Sequence, residues 1–90
     1  MNETKFEAFA VAYRKGLKEA VELDMGKAPE KREYAYTVEQ VPIVVEKMLK
    51  AMRENPRSVN YGGSKGFART CKTLGIKHTM KAIFAYLEVV

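Results

Sequence analysis

The chain is short of several residue types, and each shortage excludes a class of function. Only one of its 90 residues is cysteine, Cys71. No intramolecular disulfide can form, and no cysteine-based zinc site can be assembled. That usage suits a reducing compartment, so the expected location is the cytoplasm. No apolar run reaches the roughly 18 residues that a membrane-spanning helix needs. The first ten residues, MNETKFEAFA, set acids before their apolar residues and do not read as a secretory signal. Acidic residues are nearly missing from one region. Residues 57–90 hold six basic side chains (Arg57, Lys65, Arg69, Lys72, Lys77, Lys81) against one acid, Glu88. Residues 1–56 hold ten basic and ten acidic side chains, so the whole net charge of +5 lies in the last third.

A basic surface confined to one part of a chain is the electrostatic footprint of a polyanion binder. The rest of the composition is ordinary. Hydrophobic residues make up 47% and charged residues 30%, which is globular rather than disordered. The length corresponds to one domain, residues 1–90, with a charge-balanced scaffold over 1–56 and a basic part over 57–90. A chain this short buries only about 60–65% of its unfolded surface. Docking on a partner, or homodimerisation, would add to a thin stability margin.

The apolar spacing predicts an all-α fold of four helices. The first runs from about Glu3 to Leu23, with Phe6, Phe9, Ala10, Tyr13, Leu17, Ala20 and Val21 as its stripe. Thr4 and Glu7 have capping-box spacing at its start, and Gly26 and Pro29 mark its end. Tyr34 and Tyr36 lie in an extended connection. A second helix is expected over Val38–Glu54. Thr37 and Gln40 have the spacing of its capping box, and Pro42 either sits in the first turn or moves the start to Val41. Val41, Val45, Met48 and Met52 form its apolar face with Val44 and Leu49 beside it, and Glu46 and Lys50 pair at i, i+4. After the loop NPRSVNYGGS, Ser64 reads as the N-cap of a third helix over 65–74 with Phe67, Cys71 and Leu74 apolar. Gly75 caps its end, and a fourth helix runs from about His78 to Glu88 with Met80, Ile83, Phe84 and Leu87 as its stripe.

The last two helices meet in FARTCKTLGIKHTMKAIFAYL, which resembles a helix-turn-helix. That motif needs a small residue four positions before a turn glycine, apolar residues flanking the glycine, and polar side chains opening the second helix. Cys71, Leu74, Gly75 and Ile76 meet these requirements, and Lys77, His78 and Lys81 follow. The resemblance implies that these three reach phosphates and base edges. One position departs: six residues after the glycine the motif buries an aliphatic side chain, and here stands Lys81, with Met80 one residue early. The stretch TCKTLGIKHTMKAI is also similar to small uncharacterised proteins of phages and mobile elements, which implies provenance and no activity.

Other candidates are weaker. YGGSKG, residues 61–66, could present backbone amides to a phosphate, but it lacks the spacing of a nucleotide-binding loop. Tyr61 lies in the loop among basic residues, where a ring could stack on an unpaired base. Cys71 and His78 could pair as nucleophile and base, but Cys71 falls on an apolar face and no third group orients His78. No catalytic constellation, metal-ligand cluster or cofactor motif is present. The expected function is therefore non-catalytic nucleic-acid binding. Its expected contacts are Lys65, Arg69, Lys72, Lys77, His78, Lys81 and Tyr61, with DNA as partner and RNA as the alternative. Lys15 and Lys18, in the charge-balanced half, are expected to contribute little. A second reading is a small phage-type interaction or inhibitor protein whose basic face docks on an acidic or DNA-binding host protein. A third is a homodimeric structural module.

Overall fold

The computed structural model describes residues 1–63 and 65–90, with Lys65 described by its backbone alone. The expected N-cap at Ser64 and the expected contact through the Lys65 side chain lie outside the described residues. The chain is all-helical: α1 (Glu3–Met25), α2 (Val41–Glu54), α3 (Lys65–Leu74) and α4 (Met80–Leu87). Short 3-10 turns occur at Pro29–Lys31, Val38–Gln40 and Pro56–Ser58, and no strand forms among the described residues. At about 1.5 Å per residue, α1 is about 34 Å long. It accounts for most of the molecule's 42 Å longest dimension.

α1 is the central helix because its apolar surface is too broad for one neighbour. Phe6, Phe9, Ala10, Tyr13, Leu17, Ala20 and Val21 are all buried along it, as their spacing requires. One flank receives α2, whose buried residues Val41, Val45, Leu49 and Met52 recur one turn apart. The expected stripe is thus rotated slightly: Leu49 takes the centre and Met48 the half-buried edge. The other flank receives α3 in the most extensive helix contact of the fold. α4 closes the core against α1 with Ile83 and Leu87, both fully buried.

α1 begins at Glu3 as expected but with a different cap, and α2 takes the later of its two expected starts. Asn2, not Thr4, caps α1: its side-chain oxygen accepts from the Lys5 amide at 3.0 Å. The Asn2 backbone amide in turn donates to the Leu87 carbonyl at 2.8 Å, so the end of α4 holds the start of α1 in place. The capping box at Thr37 and Gln40 forms, with the Gln40 side chain accepting from the Thr37 amide at 2.8 Å. It closes a 3-10 turn, and α2 proper begins at Val41 with Pro42 in its first turn. Glu46 does not pair with Lys50. It accepts from the Arg14 guanidinium at 3.0 Å across the α1–α2 interface, and Lys50 turns to Glu54 at 3.9 Å.

The connection between α1 and α2 is tied down by one buried carboxylate. Asp24 accepts from the backbone amides of Glu33 (2.9 Å) and Tyr34 (3.0 Å). Burial pushes its pKa up. Those two amides and the charges of Lys27 and Arg32 outweigh that, leaving it below the usual carboxylate value. Tyr34 and Tyr36 follow in an irregular connection that bends at residues 35–36, rather than in the expected extended piece, with their rings 5.6 Å apart.

The core is aromatic at its centre. Phe67 of α3 stacks on Tyr13 of α1 at 4.5 Å and 5°. Phe9 lies 6.1 Å from it, and Tyr61 meets it edge-on at 5.1 Å. Each ring removes a large apolar area from water, and offset or edge-on contacts add about 0.5–1.5 kcal/mol per pair.

Candidate nucleic-acid interface

The α3–α4 corner is built as its residues demand. Gly75 adopts φ +71, the left-handed conformation that costs other residues about 1 kcal/mol or more. Its amide donates to the Lys72 carbonyl (3.2 Å), and the Ile76 amide donates to the Cys71 carbonyl (3.0 Å). This pair of bonds is the Schellman arrangement. Leu74 and Ile76, half-buried against the core, flank the glycine as expected. Thr79 then caps α4, its hydroxyl accepting from the Ala82 amide at 3.1 Å.

That cap changes where the candidate side chains sit. α4 begins at Met80, so Lys77 and His78 belong to the link before the helix, and only Lys81 lies in its first turn. Met80 is 43% exposed rather than part of the buried stripe. The pair also does not form a lobe of its own, because α3 packs chiefly on α1.

Lys72, Lys77 and Lys81 are all exposed. Among the described residues none of the three stands in an ion pair. In the charge-balanced half, Lys15, Lys18, Lys31, Arg32 and Lys47 likewise stand in no ion pair among the described residues, and four other cations pair with acids of that half. Arg14 pairs with Glu46, Lys27 with Asp24, Lys50 with Glu54 and Arg53 with Glu3. Glu88, the lone acid of residues 57–90, is drawn to the start of α1, where it accepts from Asn2 (2.8 Å) and lies 3.6 Å from Lys5. Arg57 lies over the Phe84 ring at 5.3 Å, a cation–π contact. Arg69 is half-exposed and sits 3.5 Å from Glu19 of α1.

Three expectations are corrected or refined. Tyr61 is only 1% exposed, so its ring cannot stack on a base. It fills the core between Phe67 and Phe84, and its hydroxyl donates to the Pro56 carbonyl at 2.8 Å. Burial pushes that hydroxyl's pKa to about 12. His78 Nε2 lies 2.6 Å from the Tyr61 carbonyl oxygen, a bond between the link and the preceding loop. The imidazole is thus partnered by backbone, while Cys71 is buried with its thiol pKa pushed up by burial. In YGGSKG the Gly62 and Gly63 amides already donate to the Asn60 side chain, at 3.2 and 3.1 Å, and so are not free for a phosphate. No group of three or more candidate metal ligands occurs among the described residues. No helix among them is long and apolar enough to cross a membrane.

The structure also brings together what the sequence separates. A groove of about 350 Å³ runs between α1 and α3, lined by Lys15, Gly16, Glu19, Arg69, Lys72 and Thr73. Lys15 belongs to the charge-balanced half, yet it shares this groove with two of the expected contacts. Nothing local in the sequence marks it, because its place there depends on how closely two distant helices approach. No family model, curated protein or solved structure matches this chain.

Proposed function

We propose that the protein binds nucleic acid without catalysis, gripping the phosphate backbone through the basic C-terminal part of the chain. The observation that carries this reading is the disposition of charge. The net charge of +5 arises wholly within residues 57–90. Lys72, Lys77 and Lys81 there are exposed and without ion pairs among the described residues. Elsewhere acids offset the cations in number, ten against ten over residues 1–56. Unpaired, exposed lysines on successive elements suit a partner with regularly spaced negative charge, and each neutralised phosphate releases condensed counterion. Lys72, Lys77, Lys81 and Arg69 are the contacts of this reading, with Lys65 beside them in the chain.

A mobility-shift titration with duplex DNA, single-stranded DNA and RNA at 50 and 200 mM salt tests it. Four phosphate contacts on duplex DNA correspond to a log–log salt slope of about −3.6. Replacing Lys72 and Lys77 together flattens it by about 1.8. If none of the three nucleic acids binds at 50 mM salt, the reading fails, and an acidic protein partner for the same face replaces it.

A further inference from the structure

We propose that the groove between α1 and α3 seats one backbone phosphate of the nucleic acid, with Lys15 of α1 acting beside Arg69 and Lys72 of α3. The inference rests on the nucleic-acid reading and extends the site beyond the C-terminal part of the chain. Its basis is the close approach of the two helices. A Cβ added at Gly66 would meet Leu17 Cδ1 at 2.9 Å, and one added at Gly16 would meet Arg69 Cβ at 3.2 Å. A methyl at Gly66 would force Leu17 to shift, and one at Gly16 would require Arg69 to give way by a few tenths of an ångström. The Thr70 hydroxyl, which donates to the Gly66 carbonyl at 2.7 Å, turns its polar group back into its own helix, so it does not hold the helices apart. With no side chain on Gly16, the floor of the groove is bare, and Lys15, Arg69, Lys72 and the hydroxyl-bearing Thr73 stand around it.

The one acid in the groove, Glu19, does not close it. Its Oε2 lies 3.5 Å from Arg69 Nη1, with side-chain exposures of 46% and 39%. That is longer than the roughly 2.7–2.9 Å of a charge-assisted hydrogen bond. The guanidinium, which has five donors in a planar fork, therefore keeps donors for a second oxygen partner. A phosphate in the groove meets three cations from two helices. Lys77 and Lys81, both exposed, follow Lys72 in the chain. Three cations against one acid in the groove, with no acid between residues 57 and 87 to offset the cations that follow, favour a phosphodiester backbone as the occupant.

The test is fluorescence anisotropy with a labelled 20-base-pair duplex of mixed sequence, titrated between 50 and 200 mM salt, each variant first checked for parental circular dichroism. Lys15→Ala is expected to flatten the salt slope by about 0.9, so its deficit against the parent shrinks about 3.5-fold across that range. Lys47→Ala, on an exposed position of α2 outside the groove, sets the background. Glu19→Gln frees Arg69 and is expected to tighten binding more than Glu39→Gln, which lies outside the groove. If the parent binds and Lys72→Ala weakens it, but Lys15→Ala behaves like Lys47→Ala, the groove is not the seat and the wider reading stands. The groove is equally excluded if Glu19→Gln tightens binding no more than Glu39→Gln. If the parent does not bind the duplex at all, this inference falls with the nucleic-acid reading.

Discussion

Replacing Gly66 with alanine tests the helix approach on which the groove depends. Gly66 is the second residue of α3. In a free helix the change would stabilise by up to about 1 kcal/mol, and by less in the first turn. In the fold the new methyl would lie 2.9 Å from Leu17 Cδ1, 3.2 Å from Tyr13 Cε1 and 3.3 Å from Leu17 Cβ. Leu17 is 0% and Tyr13 1% exposed, so neither can swing into solvent. The Tyr13 ring is further pinned by its stack on Phe67 at 4.5 Å. Overpacking of this kind costs roughly 1–3 kcal/mol, so it outweighs the propensity gain. The expected net loss is about 1–2 kcal/mol, read as a melting-temperature drop of about 4–8 °C per kcal/mol in a domain of this size. Thermal and urea melts followed by circular dichroism measure it. Adding Leu17→Ala removes the closest contact, so the double variant should lose less than the two single changes combined. A Gly66→Ala protein as stable as its parent, or more stable, would refute the close approach and remove the basis for the groove.

Phe67→Ala removes a fully buried ring that touches three others and should cost about 3–5 kcal/mol, enough to unfold much of a marginally stable domain. Leu74→Ala should cost clearly less because Leu74 is only half-buried, so equal midpoints for the two variants in a urea melt would contradict a core centred on Phe67. The pKa of Asp24 is lowered in the fold, so its contribution is present above the ordinary carboxylate value of 3.8 and lost as pH falls through the lower, folded-state value. The stability gap between the parent and Asp24→Asn, followed by melts from about pH 6 to pH 2, should narrow in acid; a gap independent of pH would show that the carboxylate charge is not what holds residues 33 and 34.

Much of the fold was legible because the signals for it are local. The apolar stripes of α1 and α2, the capping box at Thr37, the turn at Gly75 and the helical class each follow from residues a few positions apart. The errors fell where a distant element competed with a local one. Thr4 and Glu7 have capping-box spacing, but Asn2 is also held by the end of α4 and becomes the cap. Glu46 had Lys50 one turn away, but α1 offered Arg14. Tyr61 looked like a loop residue near cations, and its backbone is one. Its side chain was claimed by the Phe67 and Phe84 rings, which no spacing rule links to it.

By itself the sequence determined the all-helical class, the apolar stripes at helical spacing, and the gathering of all net positive charge in residues 57–90. Periodicity, capping and turn chemistry act within a turn or two of chain, so they can be read without a fold. Only the tertiary structure decided which of those charges stay unpaired, that Tyr61 lies inside and Asn2 caps α1, and that Lys15 shares a groove with Arg69 and Lys72. Those outcomes depend on how closely two helices far apart in the chain can pack. At Gly16 and Gly66 that distance is set by side chains that are not there.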